Sequence, residues 1–183
     1  MKSFIFAVLV VLCAQVAAVQ AVDPPKPPPV EKEHEWLAQL AGDWDTASEC
    51  IIEPGKPAMQ CTGSESARMI GNHWIMSEIK NSEWGMTGIM TVGYNTEKKK
   101  FVGTWIDSMT NHMWKYEGSL DETGKILTLE AEGPNMMKPG KTAKYRDVTE
   151  LKSKDHKVLS SSIQTEDGKW VQFMTMDAKR KAK

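Results

Sequence analysis

The sequence predicts an all-β fold, an antiparallel up-and-down barrel of about ten strands preceded by one short N-terminal helix. Three observations carry that expectation. From Asp43 onward, short runs rich in β-branched and aromatic residues follow one another, each bounded by residues that suit turns. No segment of helical period separates these runs, so consecutive strands must be antiparallel. A sheet of this many strands with short connections removes its open edges by closing on itself, and no internal repeat points instead to a propeller.

The expected strands cover residues 44–52, 59–70, 73–81, 84–94, 100–107, 112–120, 126–132, 142–152, 157–165 and 170–176. Turn chemistry separates them at Pro54-Gly55, Gly71-Asn72, Asn95, Asp121 and Asp167-Gly168, where residues fix φ or tolerate positive φ. A two-sheet sandwich is the alternative arrangement of the same segments. Ahead of them, residues 31–41 read as an amphipathic helix, with Trp36, Leu37, Leu40 and Ala41 on one face and Gly42 ending it.

The N-terminus has its own pattern. Lys2 precedes an apolar run over residues 4–14 and small residues up to Ala21, the arrangement of a secretory signal peptide. That run is shorter than the roughly 20 residues needed to cross a bilayer. The expected organisation is therefore a signal peptide (1–21), a Pro-rich tether (22–32) and a barrel domain (33–183), in a protein exported to the periplasm or secreted. No transmembrane segment is expected once the signal is removed.

Loss of Lys2 would leave 22 basic against 24 acidic side chains, a balance that gives no general attraction to nucleic acid. Cys50 and Cys61 would be the remaining cysteines, and in an oxidising compartment the simplest expectation is a disulfide worth about 3 kcal/mol. They face each other across the first hairpin if the numbers of opposing residues sum to 111.

Residues 100–119, KFVGTWIDSMTNHMWKYEGS, are the best candidate site. If Asp107 and His112 close the turn, Trp105 falls opposite Trp114 and Gly103 opposite Tyr116, while Lys115 and Glu117 point to solvent. Strand alternation then turns Phe101, Trp105, Asp107, His112, Trp114 and Tyr116 inward. The two indoles would form an apolar wall with an Asp/His pair at its rim. Met86 and Met90 extend the wall from the strand at 84–94, where Trp84, Gly88 and Val92 share their parity, and Glu78 is a further candidate for a buried carboxylate. His112 oriented by Asp107 has the chemistry of a general base or a polar anchor. Nothing in the sequence supplies a nucleophile elbow for Ser108. The four histidines lie about forty residues apart, with no His-x-His, HExxH or Cys-x-x-Cys spacing, so neither a metal nor another cofactor is predicted.

A short helix followed at once by Gly42-Asp43-Trp44 resembles the opening of lipocalin-like (calycin) barrels. In those barrels such a glycine lets the chain turn sharply, the tryptophan closes the narrow end, and a late cation covers the indole; here Arg180 is the nearest equivalent and Lys179 the second. Longer stretches, HEWLAQLAGDW, GSESARMIGNHWIMSE, VGYNTEKKKFVGTWIDSMTNHMWKYEGSLDETGK and PGKTAKYRDV, resemble an exported bacterial lipocalin-like family of unknown function. That resemblance implies fold and compartment and carries no settled activity. The function expected is binding of a small hydrophobic or amphiphilic molecule in the barrel. The alternatives are an isomerase or hydrolase using His112 and Asp107, and a non-catalytic interaction module of the cell envelope.

Overall fold

The computed structural model describes residues 26–51 and 55–182; the signal segment and residues 22–25 of the tether lie outside the described residues. One helix, α1 (Lys32–Ala38), precedes ten strands: β1 (Gly42–Cys50), β2 (Met59–Ile70), β3 (Trp74–Asn81), β4 (Met86–Asn95), β5 (Lys100–Asp107), β6 (Trp114–Leu120), β7 (Ile126–Pro134), β8 (Thr142–Ser153), β9 (His156–Gln164) and β10 (Trp170–Arg180). Each strand pairs antiparallel with its neighbours in sequence, and β1 pairs with β10 to close the barrel. Closure satisfies the backbone groups that a sandwich of two open sheets would leave at its edges. Alternation sets the faces. In β1, Trp44 and Thr46 are buried while Asp43, Asp45 and Glu49 are exposed, and in β7, Leu127, Leu129 and Ala131 are buried while Glu130 and Glu132 are exposed.

The helix is shorter than the sequence suggests because the chain must turn into β1. After Ala38 the backbone tightens into i→i−3 bonds, Gln39 N–H to Trp36 O and Leu40 N–H to Leu37 O. It then passes through Gly42 at φ +136°, where a Cβ would run into the Arg180 guanidinium. Seven residues are too few to hold a helix alone, so α1 depends on what it covers. His34 Nδ1 accepts from Glu31 N–H at 2.9 Å, which leaves Nε2 to donate to Tyr94 O at 3.2 Å. Trp36 Nε1 donates to Gly124 O at 2.8 Å, and Trp36 and Leu37 are buried with Ile75, Val92 and Phe101. One end of the barrel is thereby covered.

Beside α1 lies a closed cluster of charge and indole. Trp44 is fully buried and donates from Nε1 to Leu40 O at 3.0 Å. The Arg180 guanidinium sits 4.0 Å from the Trp44 ring centroid and donates to Ala41 O and Gln39 O, while Lys157 Nζ sits 4.5 Å from the same ring. Lys157 donates to Glu65 Oε1 at 2.8 Å, with both side chains buried. Burial pushes the Lys157 ammonium below its ordinary range, against the pull of the Glu65 carboxylate.

Three expectations need correction. The first hairpin pairs Cys61 with Ser48 and Cys50 with Met59, so opposing numbers sum to 109 rather than 111. Cys50 and Cys61 share the inner face only as diagonal neighbours, and both thiols are free. Burial, then the nearby Cys61, raises the Cys50 thiol to about 11. The third strand begins at Trp74 and turns Ile75 and Ser77 inward, so Glu78 points outward and pairs with Lys80 at 3.3 Å. The fourth begins at Met86; Trp84 lies in the preceding turn, exposed, with Nε1 3.0 Å from Met59 Sδ.

The buried ion pair yields a test. Lys157→Met alone is expected to lower stability by about 3–5 kcal/mol because it strands the Glu65 carboxylate, whereas Glu65→Leu combined with Lys157→Met costs much less. Urea unfolding midpoints decide it, and equal losses in the two variants would contradict the pairing.

Candidate functional site: the barrel interior

Buried apolar side chains do not form one continuous core. A large cluster under α1 gathers Phe101, Leu127, Leu129 and Tyr116, and a small one at the other end holds Ala143, Tyr145 and Ile163, with Trp114 packed against both. Elsewhere on the inner face Ile79, Met90, Trp105, Asp147, Thr149 and Leu159 are only partly buried although strand parity turns them inward. These inward side chains mark the stretch of the interior that the two buried clusters leave least tightly covered. A ten-stranded barrel has the width for a ligand there, since eight strands already suffice to hold one small ligand.

The two indoles occupy this stretch as a facing pair. Trp105 lies opposite Trp114 and Gly103 opposite Tyr116. Each indole rests on a glycine of the neighbouring strand. A Cβ at Gly88 would run into the Trp105 ring, and one at Gly133 would run into the Trp114 ring and come within 2.8 Å of His112 Nε2. Met90 pairs with Trp105, Met86 lies farther along the same inner row of β4, and both are half-buried. Trp114 meets Tyr145 edge-on at 4.6 Å between centroids, and Tyr145 meets Phe173 at 6.2 Å. The result is an aromatic layer across the lumen.

The expected Asp107/His112 pair is not assembled. Asp107 accepts from Trp105 Nε1 at 2.9 Å and from Met109 N–H, Thr110 N–H and the Thr110 hydroxyl, so the carboxylate caps the β5–β6 loop and fixes an indole. His112 packs edge-on against Trp114 at 4.8 Å, and its buried Nε2 has no hydrogen-bond partner. Without a carboxylate to orient it, the imidazole lacks the second half of a general-base dyad. Ser108 Oγ accepts from Thr87 N–H, which ties the loop to β4.

Sequence reasoning missed the polar layer beneath the indoles. Tyr116 OH donates to Asp147 Oδ2 at 2.7 Å and Ser161 Oγ donates to Asp147 Oδ1 at 2.5 Å, joining β6, β8 and β9 across the interior. Burial pushes the Asp147 carboxyl above its ordinary range, only partly offset by the Ser161 and Tyr116 hydrogen bonds. The Tyr116 hydroxyl is raised as well, by burial and then by the Asp147 charge. A signal for Asp147 existed. Lys144, Arg146 and Glu150 mark the outward parity of β8, which leaves Ala143, Tyr145, Asp147 and Thr149 inward.

Outside the lumen, a depression of about 480 Å³ lies at the covered end between α1 and the β6–β7 turn, bordered by Lys32, Glu35, Trp36, Tyr94, Lys99 and Asp121. No group of three or more potential metal ligands occurs among the described residues.

With this geometry in hand, comparison with known proteins adds family and fold. A sequence profile described as "Protein of unknown function (DUF1579)" matches residues 29–180. The chain belongs to the DUF1579 family. That match spans α1 and all ten strands of this DUF1579 protein. No curated protein matches it. Among solved structures, the crystal structure of Rv2717c from M. tuberculosis superposes with a TM-score of 0.56 at 10% identity, covering 84% of this chain and 100% of that one. At that identity the likeness is one of fold. A redesigned β-barrel superposes at a TM-score of 0.36 with 10% identity, covering 80% of this chain and 95% of that one, too loosely to bear on the argument.

Asp147 gives a prediction with a definite sign. A carboxyl group whose pKa is higher in the fold than in the unfolded chain favours folding where it is protonated, below about pH 4, and that contribution is lost as the pH rises through the raised value. Asp147→Asn is therefore expected to raise the melting temperature by a few degrees at neutral pH, with the gain vanishing near pH 4. Calorimetry across that range checks it, and a gain independent of pH would contradict it.

Proposed function

We propose that this DUF1579 protein is an exported, lipocalin-like binding protein that holds a small apolar or amphiphilic molecule in its barrel. The observation that carries the reading is the partly buried inner face between the two buried clusters, lined by Trp105, Trp114 and Met90 and floored by Asp147 with Tyr116 and Ser161. Apolar walls with a few convergent polar groups are the usual composition of a small-molecule site. The rim supports it too. At the end opposite α1, the loops expose Met59, Trp84, Met109, Met113, Met136 and Met137, adaptable side chains around the entrance of an apolar chamber. Export rests on the N-terminal sequence pattern, and cell fractionation with a tagged full-length chain tests it directly.

Catalysis through His112 and Asp107 loses support because the two side chains do not meet. Titration with a series of long-chain alcohols, followed by intrinsic tryptophan fluorescence, tests binding. Saturable quenching is expected, and Trp105→Leu should weaken it about tenfold by removing roughly half of the indole wall. No saturable response to any member of the series, together with vesicle binding through the exposed methionines, would identify the protein as an interaction module of the envelope instead.

A further inference from the structure

We infer that the head group this barrel accepts is cationic, an alkylammonium or a comparable organic cation, with Asp147 as its counter-ion beneath the aromatic layer of Trp105, Trp114 and Tyr145. The inference rests on the ligand-binding reading above and gives it a chemical class.

The charge facing the lumen is one-sided. Among the described residues, the inward cations are Lys157 and Arg180, and both are committed at the covered end, Lys157 to Glu65 and to the Trp44 ring, Arg180 to the same ring and to the carbonyl oxygens of Ala41 and Gln39. Asp107 and Asp147 have no cationic partner within salt-bridge distance. Asp107 already accepts four hydrogen bonds. Asp147 accepts only two, so its carboxylate, which has about four acceptor sites, keeps room for further donors.

A second observation points the same way. Glu65, 4% exposed, leaves its Oε2 atom buried without a partner. The buried side-chain atoms left without a partner among the described residues are Glu65 Oε2 and His112 Nε2. The carboxylate oxygen only accepts and the imidazole nitrogen accepts in its Nδ1–H tautomer, so a donor or a positive charge satisfies both where an anion does not. The aromatic layer reinforces the choice. Trp114 stands two residues before Tyr116 on β6, and Tyr145 two residues before Asp147 on β8, so both rings lie about 7 Å nearer the rim than the polar layer. A cation seated on Asp147 would have indole and phenol rings on its rim side, and a ring that turns its face to the cation attracts it. Its alkyl tail would run past Met90 and Met86 toward the methionines of the rim. Such a ligand also resolves the burial of Asp147, because an adjacent positive charge favours the ionised carboxylate.

Titration of the full chain with dodecylammonium, dodecan-1-ol and dodecanoate, which share one tail, tests the inference by tryptophan fluorescence. The cation is expected to bind about tenfold more tightly than the alcohol, and dodecanoate more weakly than either. In Asp147→Asn the ratio of cation to alcohol affinity should collapse to within about twofold, whatever the change in the affinity for the alcohol itself. Equal binding of cation and alcohol to the wild-type protein, or tightest binding of dodecanoate, would overturn the cationic head group and leave the apolar-ligand reading standing. Failure of all three probes would overturn both. A full cation preference retained in Asp147→Asn would remove Asp147 as the counter-ion.

Discussion

The fold depends on how its two terminal strands are joined. Trp44 on β1 pairs with Arg180 on β10 and with Glu65 on β2, and Glu65 holds Lys157 on β9. One indole and three charged side chains thus fasten four adjacent strands where the sheet closes, and Arg180 also secures the carbonyl groups of Gln39 and Ala41 between α1 and β1. Buried charges are costly to desolvate, and their mutual attraction repays that only when the partners are held in good geometry. The strands to either side supply that geometry, so closure and cluster support each other. Gly42 belongs to the same arrangement, since its missing Cβ admits the guanidinium.

With that end closed by packed side chains, the inward residues that keep some accessible surface lie toward the middle and the far end. There the barrel keeps Asp147, a carboxyl group in an environment that disfavours its charge, supported by only two hydroxyl donors. A polar group kept inside an apolar chamber at a cost to folding is a mark of sites that bind or react. The indoles above it are held in place rather than left to adapt. Trp105 is fixed through Nε1 by Asp107, and both rings occupy the space that a Cβ would take at Gly88 and Gly133. Side chains fixed before a ligand arrives lose less entropy when it binds.

The architecture was legible in the sequence because short β-type runs bounded by turn residues follow one another with no helix between them, and the β5–β6 register was legible because Lys115 and Glu117 mark the outer face on either side of Tyr116. Other features misled for physical reasons. Glu78 shares its parity with Trp74, and a tryptophan suggests the interior; Trp74 instead covers Gly93 from outside, where the bare backbone offers it an apolar seat. Cys50 and Cys61 seemed to fix the first register, but the hairpin is set by its strands, and Trp44 needs Glu65 across from it to place Lys157. Asp107 and His112 stand at matching ends of their strands, yet the carboxylate finds nearer donors in its own loop. The polar layer of Tyr116, Asp147 and Ser161 brings together residues from three strands, and no spacing within one segment announces such a meeting.

The central claim is that the space between the two apolar clusters is a binding chamber with Asp147 at its floor. Crystallography with a bromine-tipped alkylammonium tests it most directly, because anomalous scattering locates the tail and the density of the head group locates the charge. The expected result is bromine near the methionine rim and the ammonium beside Asp147 under the Trp105 and Trp114 rings. Bromine only on the outer surface, with side chains filling the interior around Asp147, would contradict it.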